Sequence, residues 1–275
     1  MKAVIPAAGF GTRFLPIAKA IPKEMLPLGD KPVIHFVVEE AVAAGFDEIL
    51  IILSRGKEAI IQYFAPNPEL EAHLEAAGKT AALAAVRSAG QGARIHYTYQ
   101  AKMGGLGDAL RYARDFVGRD EAFAVLLGDT VMRGGSPLPA MVEAWHAHHL
   151  PSVSLEPCPP EKVSRYGVSG GRQLASGLFA LDRLVEKPPV ATAPRLSGTD
   201  GELLPFHAFA ARYLFSPAIF ECLEETGTGY GGEVQLTDAM ERLRARAGFL
   251  GVSWAGQRLD IGTPAGLMEA AGYFL

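Results

Sequence analysis

The chain opens on its most constraining feature: a short apolar run, Lys2-Ala-Val-Ile-Pro6, that stops in Ala7-Ala-Gly-Phe-Gly-Thr-Arg-Phe14. A buried strand that breaks into a glycine loop predicts a sheet whose first loop lies at a strand's carboxyl end. Helical and strand patterns then alternate. Residues 33 to 44 suit a helix after Pro32, closed by Gly45, and residues 47 to 53 read as a buried strand. A helix is expected over 57 to 64, an alanine-rich helical stretch over 69 to 87, and a half-buried strand over 94 to 99. A helix over 107 to 117 and a central strand over 122 to 127, ending in Gly128-Asp129, complete the first half. Such alternation predicts an α/β fold with a mostly parallel sheet covered by helices on both faces. Ligands of these sheets bind at the carboxyl ends of the strands, where the first loop and Asp129 both fall.

After residue 150 the pattern changes to short strands with turn punctuation. Helices are expected near 216 to 225 and 234 to 246, a strand at 249 to 254, and a closing helix from about 264. The segment 188 to 206, with several prolines and glycines, reads as a surface loop. No linker divides the chain, so one domain over 1 to 275 is expected, in halves of about 1 to 150 and 151 to 275. With 49% hydrophobic and 20% charged residues the chain can bury a sizeable core, which excludes intrinsic disorder. A formal net charge of −4 argues against a general nucleic-acid-binding face but leaves room for a local phosphate pocket. Cys158 and Cys222 form no CxxC pair, and a reducing cytosol is the simpler setting. No apolar run approaches the roughly 20 residues of a membrane helix. The opening run imitates a signal peptide, but Pro6, Gly9, Gly11 and Arg13 interrupt it. A soluble, cytoplasmic protein without membrane association is expected.

Two familiar phosphate motifs fail on inspection. A dinucleotide fingerprint needs a third glycine at position 14, where Phe14 stands, and a Walker motif ending in Gly78-Lys79-Thr80 needs one at His73. What remains is Gly9-Phe-Gly-Thr-Arg13 followed by Pro22-Lys-Glu-Met-Leu-Pro27. Two glycines let backbone N–H groups approach a base or phosphate. Arg13 supplies a fork of donors and Lys23 a point charge in the same segment. Read without chemistry, the same residues make a tight turn with surface cations. Asp129, at a strand end, is a candidate metal ligand or an ordinary turn cap. His146, His148 and His149 do not share one helix face and read as a solvated helix end. Ser169 lacks the hydrolase elbow pattern, and Trp145 and Trp254 read as packing residues.

Taken with the glycine loop and the Pro22–Pro27 segment, six further stretches extend one resemblance along nearly the whole chain. They are Val37–Gly45, Phe123–Asp129, Val163–Val168, Leu184–Pro188, Gly232–Asp238 and Asp260–Gly262. In this order they resemble the sugar-1-phosphate nucleotidyltransferases, and within that family the bacterial uridylyltransferases acting on glucose 1-phosphate. The resemblance implies a three-layer, Rossmann-like fold with a smaller β-rich sugar-binding part. It implies Mg²⁺-dependent transfer of UMP from UTP to glucose 1-phosphate, giving UDP-glucose and pyrophosphate, by a homodimer or homotetramer. Ala8, Gly9, Gly11, Thr12, Gln100 and Gly105 would bind the nucleotide, with Gln100 on the pyrimidine edge. Asp129 and Asp260 would hold the metal, and Arg13, Lys23 and Lys187 would serve the phosphates. Gly167, Glu186 and Glu233 would contact the sugar.

The chain departs from the family pattern at three places. Asp129-Thr130 stands where two aspartates are usual, and Gly104-Gly-Leu-Gly-Asp108-Ala109 stands where the family reads LGxGHA. The region 192 to 210 also lacks the usual approach to Gly-Arg-Tyr, here Ala211-Arg212-Tyr213. These changes bear on base and sugar selection, so dTTP, CTP or another hexose 1-phosphate stay open as substrates. A catalytically weak nucleotide-sugar sensor is the reading from outside the enzyme class.

Overall fold

The structure is a computed structural model that describes residues 1–119 and 121–274. Its elements begin with β1 (Lys2–Pro6), the two-residue strands β2 (Pro27–Leu28) and β3 (Lys31–Pro32), α1 (Val33–Ala43), β4 (Glu48–Leu53) and α2 (Glu58–Phe64). Next come α3 (Pro68–Ala76), α4 (Thr80–Ser88), β5 (Arg94–Tyr99), α5 (Leu106–Arg111) and α6 (Arg114–Val117). The middle of the chain forms β6 (Phe123–Leu126), β7 (Thr130–Arg133), α7 (Leu138–His148), β8 (Ser152–Cys158), β9 (Gly167–Ala175) and β10 (Leu178–Glu186). β11 (Leu196–Ser197), β12 (Phe206–Phe215), α8 (Ile219–Glu225), α9 (Leu236–Ala247), β13 (Leu250–Ser253), β14 (Gln257–Asp260) and α10 (Pro264–Ala271) complete it.

Ten strands form one sheet in the order β11-β9-β10-β13-β8-β12-β6-β1-β4-β5. The run β6-β1-β4-β5 is parallel throughout, as the strand–helix alternation of the first half predicts. Beyond it the sheet is mixed: β12 lies antiparallel to both β6 and β8, and β9 with β10 makes a hairpin across Ser176-Gly177. The layers follow from the period of two along each strand. Val4, Leu50, Phe123 and Val125 face a cluster with α5, α8 and α9, while Ala3, Ile5, Ile49, Ile51 and Ala124 face α1 and α7. Each central strand is therefore apolar on both sides, which is why these segments read as unbroken hydrophobic runs.

Three segments differ from expectation. The stretch 69 to 87 is two helices, parted at Gly78, with Asn67 accepting from the Leu70 N–H at 3.1 Å to start the first. The helix over 107 to 117 is likewise two, α5 and α6. The loop 188 to 206 contributes β11, which pairs parallel to β9 and buries Leu196 completely. One apolar side chain among polar neighbours gives too weak a periodic signal to mark a strand. No helix among the described residues is long and apolar enough to cross a membrane.

The strand β12 carries a register irregularity between Phe209 and Tyr213, and within it Ala211 sits at φ 64. A left-handed alanine costs about 1–2 kcal/mol, and glycine would give back about 0.4–1 kcal/mol through its freer unfolded chain. Ala211→Gly is therefore expected to raise stability by about 0.5–1 kcal/mol. A urea titration that places the variant's midpoint at or below the parent's would contradict this.

Candidate active site

The carboxyl ends of β1 and β6 open onto a cavity of about 460 Å³. Ala8, Gly9, Gly11, Thr12, Gln100 and Gly105 line it, with Lys23 and Asp129 also on its wall. A second cavity, about 260 Å³, shares Asp129, Leu127 and Leu106 with the first. Arg13, Gly167, Glu186, Lys187 and Asp260 line it. All fourteen residues singled out in the sequence thus lie on two adjoining cavities. Of the two cavities, Arg13, from the glycine loop, lines the second only, while Glu233 lines the first. The segment that carries it passes on to Gln235, Leu236 and Thr237 in the second.

Asp260 reaches the site through a pairing that the sequence did not announce. β14 runs antiparallel to β7 with Asp260 opposite Thr130, and the Ile261 N–H donates to the Asp129 carbonyl at 3.0 Å. The two aspartates converge above Gly262. A β-carbon placed on that glycine would lie 3.0 Å from Asp260 Oδ1, 3.3 Å from Asp129 Oδ2 and 3.7 Å from Arg13 Nη1. Asp260 Oδ1 also accepts from the Gly262 N–H at 3.0 Å. Arg258 Nη1 and the Tyr166 hydroxyl each approach its Oδ2 to 3.4 Å.

Opposite charges are already paired around this point. Lys23 Nζ lies 2.5 Å from Asp129 Oδ2. Burial works against the ionised Asp129, but the charge and hydrogen bond of Lys23 outweigh it and hold the carboxyl below its ordinary value. Burial likewise works against the Lys23 ammonium, and the charges of Asp129 and Glu24 reverse the balance and raise its pKa. In the second cavity Lys187 Nζ lies 3.0 Å from Glu186 Oε1, while Thr237 donates to Glu186 Oε2 at 2.6 Å. Lys187 is held at φ 44, with its N–H bonded to the Tyr166 carbonyl at 3.1 Å. Strained backbone of this kind persists where neighbours over-determine it. Gly167 is required by close approach: a β-carbon there would lie 2.4 Å from the Phe209 ring and 3.1 Å from Glu186 Oε2.

Sequence reading missed several residues. Arg258 points into the second cavity beside Asp260, and a period-two reading of QRLD would have placed both on one strand face. Tyr166 precedes Gly167 in a motif already noticed. Lys57 left no signal at all. It is buried, donates to both Glu24 oxygens at 2.9 and 2.8 Å, and also binds the Ala7 carbonyl at the start of the glycine loop. Burial raises the Glu24 pKa and lowers that of Lys57, while their mutual attraction opposes both shifts.

The chain and its fold have counterparts among known proteins. A model described as nucleotidyl transferase matches residues 2–274, and the chain belongs to that family. At finer grain it is similar to UTP–glucose-1-phosphate uridylyltransferase of Bacillus subtilis (strain 168), at 41% identity over 268 residues, 97% of this chain and 88% of that protein. Among solved structures it is similar to a UTP-bound UGPase from Acinetobacter baumannii, with TM-score 0.88 and 34% identity over 99% of this chain and 92% of the other. A UDP-glucose pyrophosphorylase complexed with UDP-glucose gives TM-score 0.87 and 35% identity, over 99% and 97% of the two chains. The family and fold class expected from the sequence are met.

The Lys57–Glu24 pair makes a direct claim on stability. Removing one partner of a buried ion pair typically costs about 3–5 kcal/mol, because the other charge is stranded. Lys57→Met is expected to lose about 3 kcal/mol, and adding Glu24→Gln should restore part of the loss. Urea titration of the two single variants and the double variant measures this, and purely additive losses would show that the pair is not coupled.

Proposed function

We propose that this protein transfers UMP from UTP to glucose 1-phosphate, releasing pyrophosphate and forming UDP-glucose. The observation that carries the reading is the meeting of two cavities at Asp129, one walled by the glycine loop and Gln100, the other by Lys187 and Glu186. An oxygen of the sugar phosphate attacks the α-phosphorus of UTP. The new O–P bond forms as the bond from that phosphorus to the β-phosphate oxygen breaks, and the electron pair leaves with pyrophosphate. The attacking phosphate is already ionised near neutral pH, so no general base is needed. Bringing several negative charges together is the main difficulty, and fixed cations are the main remedy.

The residues divide the work by position. Ala8, Gly9, Gly11 and Thr12 lie along the nucleotide, and Gln100 meets the base. Arg13 and Lys23 offset charge on the departing pyrophosphate. Lys187 orients the attacking phosphate, and Glu186 accepts from sugar hydroxyls above Gly167. Asp129 and Asp260 carry two carboxylates to one point, the donor set that Mg²⁺ takes together with phosphate oxygens and water, and these residues would hold it. When bound, the ion supplies neutralisation of phosphate charge. The UTP and UDP-glucose bound in similar solved structures support the choice of base and product.

Pyrophosphate release from four nucleoside triphosphates, each offered with several hexose 1-phosphates and Mg²⁺, tests the reading. Release is expected to be fastest for UTP with glucose 1-phosphate and to vanish in Asp129→Ala. Faster release with CTP or dTTP would keep the transfer chemistry and move its specificity, whereas silence across the grid would favour a sensor. Lys187→Ala should slow turnover about a hundredfold with UTP affinity little changed. An equal loss of UTP affinity would remove Lys187 from the sugar phosphate.

A further inference from the structure

Among the described residues Gln100 is the only side-chain amide on the first cavity, and its orientation decides what a base would meet there. Its Nε2 lies 2.7 Å from Asp108 Oδ2 and 3.3 Å from the Gly105 carbonyl oxygen. An ionised carboxylate and a carbonyl are both acceptors only, so the amide nitrogen, not its oxygen, must face them. Both N–H groups of the amide are then committed within the protein. The residue is buried, and its backbone N–H is bonded to the Leu53 carbonyl at 2.8 Å, so the amide has little freedom to turn.

Asp108 is itself held in place. Arg111, one turn along α5, brings Nη1 to 3.7 Å from Asp108 Oδ1, and its Nη2 is anchored on the Leu223 and Thr226 carbonyls. Gly104 supplies the room. A β-carbon on Gly104 would lie 2.7 Å from Asp108 Cγ and 2.9 Å from its Oδ2. The backbone of Gly104 has no way to step aside, because its N–H donates to Lys102 at 2.9 Å and its carbonyl accepts from Val234 at 2.8 Å. Two departures from the family pattern are therefore a single device: glycine at 104 is what permits aspartate at 108.

We propose that Asp108 and Gly104 form a positioning pair that locks Gln100 with only its Oε1 available to the nucleotide base, and so sets discrimination between imino and amino pyrimidines. This rests on the uridylyl reading above. Uracil presents a donor, its N3–H, to an acceptor in that place. Cytosine presents a lone pair at the same ring position, and two lone pairs facing each other repel. A glutamine free to turn would serve either base. A clamped one serves uracil.

Competing kcat/KM values for UTP and CTP, with glucose 1-phosphate, test the pair in the intact protein. Asp108→Leu removes the acceptor, and Gly104→Ala pushes the acceptor away without removing it. Both are expected to lower the UTP:CTP ratio about tenfold, mainly through KM. Asp108→Asn keeps an acceptor oxygen and should retain most of the parent's ratio. Should Asp108→Leu fail to fold, Gly104→Ala and Asp108→Asn still decide the matter. An unchanged ratio in the folded variants, or an equal loss in Asp108→Asn, would overturn the lock while leaving uridylyl transfer intact. A parent protein without turnover on UTP would instead remove the underlying reading, and the lock with it.

Discussion

Arg212 is the charge on which the site's geometry depends. Its side chain is wholly buried on β12, the strand joining the parallel run to the mixed half of the sheet. A charge in that position is tolerable only when paired and fully hydrogen-bonded. Glu40 of α1 takes its fork at 2.9 and 2.6 Å, and the Thr130 and Ala211 carbonyls accept at 2.8 and 2.9 Å. Its backbone N–H reaches the Ser154 hydroxyl on β8 at 3.1 Å. One residue thus ties α1, β8 and β12 to the turn that carries Asp129. The bend of β12 beside it, with Ala211 at positive φ, is the backbone distortion this arrangement tolerates.

Around that frame the chain neutralises its own charges before any substrate arrives. Lys23 leans on Asp129, Lys57 on Glu24, Lys187 on Glu186, and Arg258 on Glu156 and Asp260. These pairs hold cations at fixed places in a partly buried cleft, where charge acts more strongly than in water. Preorganised cations need no rearrangement when negative charge builds up at a phosphorus. The same pairs place cations in the cleft of a protein of net charge −4, where the local field, not the total, acts on a ligand.

Much of this was legible from residue order. Local periodicity gave β1, β4 and β6, since a strand buried on both faces must be a continuous apolar run, and β5, whose alternation marks a half-buried edge. Turn chemistry located the glycine loop, and the strand end located Asp129. The helix break at Gly78 and the buried Leu196 escaped, because one glycine or one leucine carries too little periodic signal to mark an element's edge.

By itself the sequence determined the α/β order of the first half, the glycine loop after β1 and the identities of the charged residues, all of which depend on near neighbours. Only the tertiary structure decided how they meet. The pairing of β14 with β7 carried Asp260 to Asp129, and the fold buried Lys57 against Glu24 and set Glu233 on the wall of the first cavity. It also turned Gly104, Asp108 and Gln100 from separate oddities into one contact. Such meetings depend on register and packing between segments distant along the chain, and no local period encodes them.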